Sequence, residues 1–167
     1  MIATSSPLPG PAPQIPDLSE LALALGIERD RVRTGIDVVQ ISRIAESIAA
    51  FGERFARRLF TADEIAYAQA HAPLAPERFA ARFAAKEAAL KALGLAHAGI
   101  DWREIEVLRH ADGHCNLCLH GKAARLAGAP SDYEAALSLS HDGDYAVAIV
   151  TVLRRGPCPH TPFANSY

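Results

Sequence analysis

The stretch E-R-F-A-A-R-F-A-A-K-E-A-A-L-K-A-L-G, Glu77 to Gly94, decides how this chain folds. Phe79, Phe83, Leu90 and Leu93 recur at helical spacing and give one apolar stripe. Pro76 suits a first helical turn, where an amide donor is not needed, and Gly94 is placed to end the helix. Alanines fill most remaining positions, so neighbouring elements can come close. The spacing predicts one long helix against which the rest of the chain packs. Lys86, Glu87 and Lys91 interrupt its apolar character. As a plain surface ion pair four residues apart, Glu87 and Lys91 would stabilise the helix by only roughly 0.2–0.5 kcal/mol.

Upstream, the β-branched segment Val32 to Val39 reads as a strand ending near Asp37. Ile41, Ile44, Ala45 and Ile48 are spaced for one helix face. After Gly52 a helical turn carries Arg54, Arg57 and Arg58, and T-A-D-E at Thr61–Glu64 is a capping box opening another helix. Downstream, strands are expected at Glu104–Leu108 and Cys115–Leu119, joined by A-D-G. A short helix follows over Lys122–Leu126, then a C-terminal hairpin around H-D-G-D. A further short helix is expected over Asp17–Leu25. The mixture without regular β-α-β alternation is α+β, an antiparallel sheet packed with a long helix.

The 167 residues suit one domain, placed at 17–153, with a disordered Pro-rich leader at 1–16 and a disordered tail at 154–167. Half the residues are hydrophobic, which excludes a wholly disordered chain. A net charge of −2 gives no bulk attraction to nucleic acid or anionic membrane. No apolar run approaches the ~20 residues of a membrane span. The opening M-I-A-T-S-S-P has neither the basic start nor the apolar run of a secretory signal. Three cysteines do not make a disulfide framework. The expectation is a reduced, cytoplasmic protein.

Three places hold polar groups where the pattern expects apolar ones. Asp37 follows Gly35 and Ile36 in a buried-looking strand, where a carboxylate is costly unless paired, bound to a cation, or capping the next helix. Glu87 and Lys91 lie beside the stripe of the long helix. Ser138, Ser140 and His141 sit where a core strand meets a turn, and His141 alone would be read as bonding a turn carbonyl. Two carboxylates on separate elements suffice for Mg²⁺ when a substrate phosphate supplies further oxygens. Lys, His and Arg side chains neutralise phosphate oxygens. This is equipment for phosphoryl-group transfer, and no G-x-x-x-x-G-K-[ST] loop is present to suggest a P-loop enzyme.

In order along the chain stand G-I-D-V-V-Q-I-S-R (Gly35–Arg43), R-F-A-A-K-E-A-A-L-K-A-L-G (Arg82–Gly94) and L-S-L-S-H-D (Leu137–Asp142). Together they resemble the 4′-phosphopantetheinyl transferases, specifically the short holo-acyl-carrier-protein synthase group, from about Arg33 to Leu153. The resemblance implies a homotrimer of small α+β subunits with active sites at subunit interfaces. Asp37 and Glu87 would hold Mg²⁺ on the diphosphate of coenzyme A. Lys91 and His141 would contact phosphate, with Arg82 and Ser140 as further cofactor contacts. The reaction implied is attack by a serine of an apo acyl carrier protein, its proton going to a metal-bound water or to Glu87. Arg43, Arg54, Arg57 and Arg58 would form the dock for an acidic carrier helix; read alone, they are a solvated helix face.

The chain departs from the family at Gly94–Gly99, where a Gly-Thr-Gly-like loop is usual and His97 stands instead, and at the turn Gly113–Cys115. H-C-N-L-C-L-H (His114–His120) invites a zinc reading, but Cys115 and Cys118 are three apart and point to opposite faces of a strand. A non-catalytic carrier-protein-binding homologue within a fatty-acid or polyketide synthase assembly is the alternative from another class. A single sheet layer of this size would leave apolar side chains uncovered, among them Val147, Ile149 and Val152, and association would bury them.

Overall fold

The computed structural model describes residues 31–155. The leader, the helix expected at Asp17–Leu25 and the chain beyond 155 lie outside the described residues. Strand β1 (Val32–Gln40) leads directly into α1 (Ile41–Phe51), followed by α2 (Glu53–Leu59), α3 (Ala62–Gln69) and the long α4 (Ala75–Leu93). Strands β2 (Ile105–Arg109) and β3 (Cys115–Leu119) form a hairpin before α5 (Gly121–Ala127). The C-terminal hairpin is β4 (Tyr133–Asp142) and β5 (Tyr145–Arg154). These strands give a three-stranded antiparallel sheet ordered β1-β5-β4 and a separate two-stranded sheet.

Strand β1 does not stop near Asp37. It pairs with β5 through to Gln40 opposite Tyr145, so Asp37 sits inside the ladder, opposite Ala148. The long pairing partner, not the local sequence, sets this end. Alternation puts Gly35 and Val39 on the buried side and Val32, Ile36 and Val38 on the open one. On β5 the buried set is Ala146, Ala148, Val150 and Val152, while Ile149 and Leu153 are exposed. Val152 is therefore not among the uncovered residues; it faces the core at 1% exposure.

Sheet and α4 meet at unusually close range, and Gly35 is the reason. A Cβ at this position would overlap the Ala88 carbonyl oxygen and stand 2.8 Å from the Ala92 amide nitrogen. Only a glycine opposite an alanine-rich helix permits that approach. Ala80, Ala84, Ala85, Ala88 and Ala89 are all fully buried. Gly94 ends the helix in the left-handed region, as its position predicted.

The capping box at Thr61 is present, and its Glu64 does more than cap. Lys86 and Glu64 form a fully buried ion pair at 2.8 Å. The same ammonium donates to the carbonyls of Trp102 and Ile105 at 2.9 and 2.5 Å. Glu64 also accepts from the Thr61 and Val107 amides. With every Lys86 donor used, α3, α4 and β2 are tied together around one neutralised charge pair.

Candidate active site

Asp37 projects from the helix-facing side of β1 toward the C-terminal half of α4. Lys91 donates to its Oδ1 at 2.8 Å and to the Ile36 carbonyl at 2.9 Å. Lys91 thus pairs across the sheet–helix contact rather than with Glu87 along its own helix. The close packing at Gly35 brings the strand carboxylate within reach. Glu87 is half-buried one turn earlier, and its carboxyl is pushed above the usual carboxylate range, first by burial and then by the charge of Asp37, against an opposing effect of Lys91. A half-buried carboxyl of raised proton affinity facing a cleft beside a second carboxylate is an arrangement that a bound cation would relieve.

Both carboxylates line a cleft of about 550 Å³ whose other walls include Gln40, Arg43, Phe83 and Trp102. Phe83 and Trp102 pack with ring centroids 5.0 Å apart and planes tilted by 30°, giving the cleft an apolar side. Asp37 does not cap the helix after its strand. That role falls to Asp144, which accepts from the Ser42 amide and hydroxyl at 2.8 and 2.7 Å and from Gln40 Nε2 at 2.8 Å. These bonds lower the Asp144 carboxyl below its usual range, those from Ser42 Oγ and Gln40 leading. They also clasp the start of α1, and with it Arg43, to the β4–β5 turn. Sequence reading placed Asp144 in a turn and missed this, because the partner lies about a hundred residues away.

The remaining expected site residues are spread more widely. His141 Nε2 lies 3.3 Å from Glu77 Oε1, not on a turn carbonyl. Glu77 and Lys91 stand near opposite ends of α4, roughly 21 Å apart along its axis. Ser138 and Ser140 lie on the exposed positions of β4, opposite Ile149 and Val147, and so on the other face of the sheet from Asp37. Arg82 is 3% exposed, with its guanidinium 4.0 Å over the Tyr67 ring and Nε without a hydrogen-bond partner among the described residues. Burial lowers its pKa against the opposing pull of Tyr67 and Glu64. Arg43, Arg54, Arg57 and Arg58 are exposed on α1 and α2, and Arg57 pairs with Glu53 at 2.6 Å. A second cleft of about 520 Å³, lined by Arg57, Phe60, Thr61 and Arg103, contains no carboxylate. Within one chain, then, Asp37, Glu87, Lys91 and Arg43 come together, and His141, Ser140 and Arg82 do not join them.

Known proteins resemble this chain in sequence and in fold. The sequence model of the 4′-phosphopantetheinyl transferase superfamily matches residues 33–150. A holo-[acyl-carrier-protein] synthase of Koribacter versatilis is 51% identical over 118 residues, covering 70% of this chain and 94% of the relative. One from Gloeobacter violaceus is 41% identical, covering 72% of this chain and 92% of the relative. Among solved structures, the ACPS–CoA complex of Chronobacterium ammoniagenes aligns at 35% identity with a TM-score of 0.66, over 75% of this chain and 98% of that one. A holo-(acyl-carrier-protein) synthase of Bacillus anthracis in complex with CoA (3′,5′-ADP) aligns at 28% identity with a TM-score of 0.60, over 73% of this chain and 96% of that one.

Proposed function

This chain belongs to the 4′-phosphopantetheinyl transferase superfamily, and from that premise we propose that it is a holo-[acyl-carrier-protein] synthase. It moves the 4′-phosphopantetheine of coenzyme A onto a serine of an apo acyl carrier protein. The observation that carries this reading is the placing of Asp37 and Glu87 on one cleft that also holds Arg43, with Lys91 bound to Asp37 beside it. The serine Oγ attacks the β-phosphorus, the bond to the bridging diphosphate oxygen breaks, and adenosine 3′,5′-bisphosphate leaves. The serine proton leaves with solvent or Glu87.

Asp37 and Glu87 suit Mg²⁺ because both offer hard oxygen donors, and Glu87 carries a penalty from burial and from the charge of Asp37 that a cation would offset. When bound, such an ion would neutralise charge on the diphosphate. The chain's own groups supply the rest. Lys91, held by Asp37 and a backbone carbonyl, presents a fixed positive charge to phosphate oxygens. The half-buried position of Glu87 gives a carboxylate of raised basicity close to the reacting centre. Phe83 and Trp102 limit water on one side. Arg43, exposed on the clasped start of α1, meets the acidic carrier, with Arg54, Arg57 and Arg58 extending the positive surface.

His141 and Ser140 act on coenzyme A from a site shared between subunits of a homotrimer. Two facts support this: His141 stands at the far end of α4 from Lys91, and the open sheet face carries Val32, Ile36, Val38, Ile149 and Leu153. Arg82, whose guanidinium lies over Tyr67 with Nε unpaired among the described residues, is the further coenzyme A contact in this reading. The described residues include no helix long and apolar enough to cross a membrane; in this reading the enzyme is cytoplasmic and serves fatty-acid synthesis. Incubation with coenzyme A, Mg²⁺ and a panel of apo-carriers, read by intact mass, tests the activity. Coenzyme A binding without modification of any carrier would favour a non-catalytic carrier-binding homologue instead.

A further inference from the structure

The C-x-x-C of β3 cannot grip one metal, but a different set in the same hairpin can. Cys118 and His120 are two apart, so alternation turns both to one side of the strand, and the antiparallel register puts Glu106 directly across from Cys118. We propose that Glu106, Cys118 and His120 form a second metal site, selective for a borderline-soft divalent cation of the Zn²⁺ type and separate from the Asp37–Glu87 pair. The Glu106 carboxylate, Cys118 Sγ and a His120 ring nitrogen all lie within 4.8 Å of one another. Thiolate, imidazole and carboxylate are donors Zn²⁺ accepts together, whereas Mg²⁺ does not favour sulfur. A thiolate and a carboxylate also match the ion's two positive charges, and a water would complete four-coordination.

The set is held in place before any ion arrives. Glu106 is 8% exposed, and its Oε1 accepts from the Thr61 hydroxyl at 2.7 Å, which fixes the carboxylate plane. Its Oε2 is 2.8 Å from His120 Nε2, so the ion would take the place of the proton shared there. The His120 backbone is pinned on both sides, its amide on the Glu104 carbonyl and its own carbonyl on the Ala124 amide. Lys86, the buried cation facing Glu106 from α4, is neutralised by Glu64. Cys118 is a free, half-buried thiol, and binding would release its proton to solvent. An ion here would join the β2–β3 hairpin to the start of α5 and, through Thr61, to the start of α3.

The test is titration of the full-length chain, stripped by chelator and kept reduced, with Co²⁺ under saturating Mg²⁺. One equivalent of Co²⁺ should bind with a thiolate-to-cobalt charge-transfer band, and Zn²⁺ should displace it. Cys118→Ser should abolish the band and weaken Zn²⁺ binding at least tenfold. His120→Ala, at an exposed position, should weaken it similarly with circular dichroism unchanged. Cys115→Ser, Cys158→Ser and Glu87→Gln should each keep the band. Absence of a thiolate band at stoichiometric Co²⁺, or a band that survives Cys118→Ser, would overturn the proposal.

Discussion

Lys91 on the long helix binds Asp37 on the first strand at 2.8 Å, although Glu87 stands one turn away on its own helix. The cross-element pair forms because Gly35 lets strand backbone rest against Ala88 and Ala92. A half-exposed ion pair of this kind adds little stability. Its role is to fix a cation beside two carboxylates. Lys91→Ala should lower kcat/KM for coenzyme A by at least tenfold while shifting Tm by no more than a few degrees. Equal turnover by the variant would remove Lys91 from the phosphate contacts.

Gly35→Ala places a methyl group into helix backbone. Overpacking of this kind costs typically about 1–3 kcal/mol, and here it also pushes Asp37 away from Lys91. Denaturant unfolding should register the loss of stability. Transfer assayed well below the unfolding temperature should fall further than the folded fraction does. A variant as stable and active as the parent would mean that the strand–helix distance does not position the site.

Glu87→Gln should abolish transfer yet stabilise the metal-free protein at neutral pH. Burial and Asp37 raise the Glu87 carboxyl, so the folded chain holds that proton more tightly than the unfolded chain does. Stabilisation by this proton is full below the unfolded pKa and is lost as pH rises through the folded one. The variant's advantage should therefore be present at pH 7 and shrink as the medium is acidified through that window. Thermal melts from acid to neutral pH, with and without Mg²⁺, check both signs. Mg²⁺ should raise the wild-type Tm and leave the variant's unmoved.

Arg43→Ala should weaken carrier association more than coenzyme A binding, and wild-type association should slow as salt rises. Asp144→Ala frees the start of α1 and should raise KM for the carrier in the same direction without touching any phosphate contact. Salt-independent association would leave these arginines as solvated surface.

Ile36→Glu puts a charge at a 55%-exposed position on the open, apolar sheet face. In the trimeric reading it should dissociate the assembly and abolish transfer while the fold, followed by circular dichroism, survives. An active monomer in sedimentation would refute the shared-site arrangement.

The long helix, the capping box at Thr61, both hairpins and the helix stop at Gly94 were legible because local spacing dictates each of them. The three sequence blocks that carry the resemblance were legible for the same reason, and Asp37, Glu87 and Lys91 do meet. What was not legible depends on pairing across distance. The extension of β1 past Asp37 needs β5, and the Asp144 clasp joins the two ends of the domain. The buried Lys86–Glu64 pair needs the packing of α3 on α4, so Lys86 read only as an interruption of an apolar helix. The packing of Arg82 over Tyr67 likewise needs α3 beside α4 and could not be read from its motif. The C-x-x-C attracted attention away from Cys118 and His120, whose partner Glu106 lies on another strand.

The most direct measurement is the intact mass of an apo acyl carrier protein incubated with coenzyme A, Mg²⁺ and this protein, run beside the Glu87→Gln variant. The account predicts that the wild type adds one phosphopantetheine to the carrier serine and releases adenosine 3′,5′-bisphosphate, that a chelator stops the reaction, and that the folded variant adds none. An unmodified carrier with the wild type across the panel, or equal modification by the variant, would contradict it.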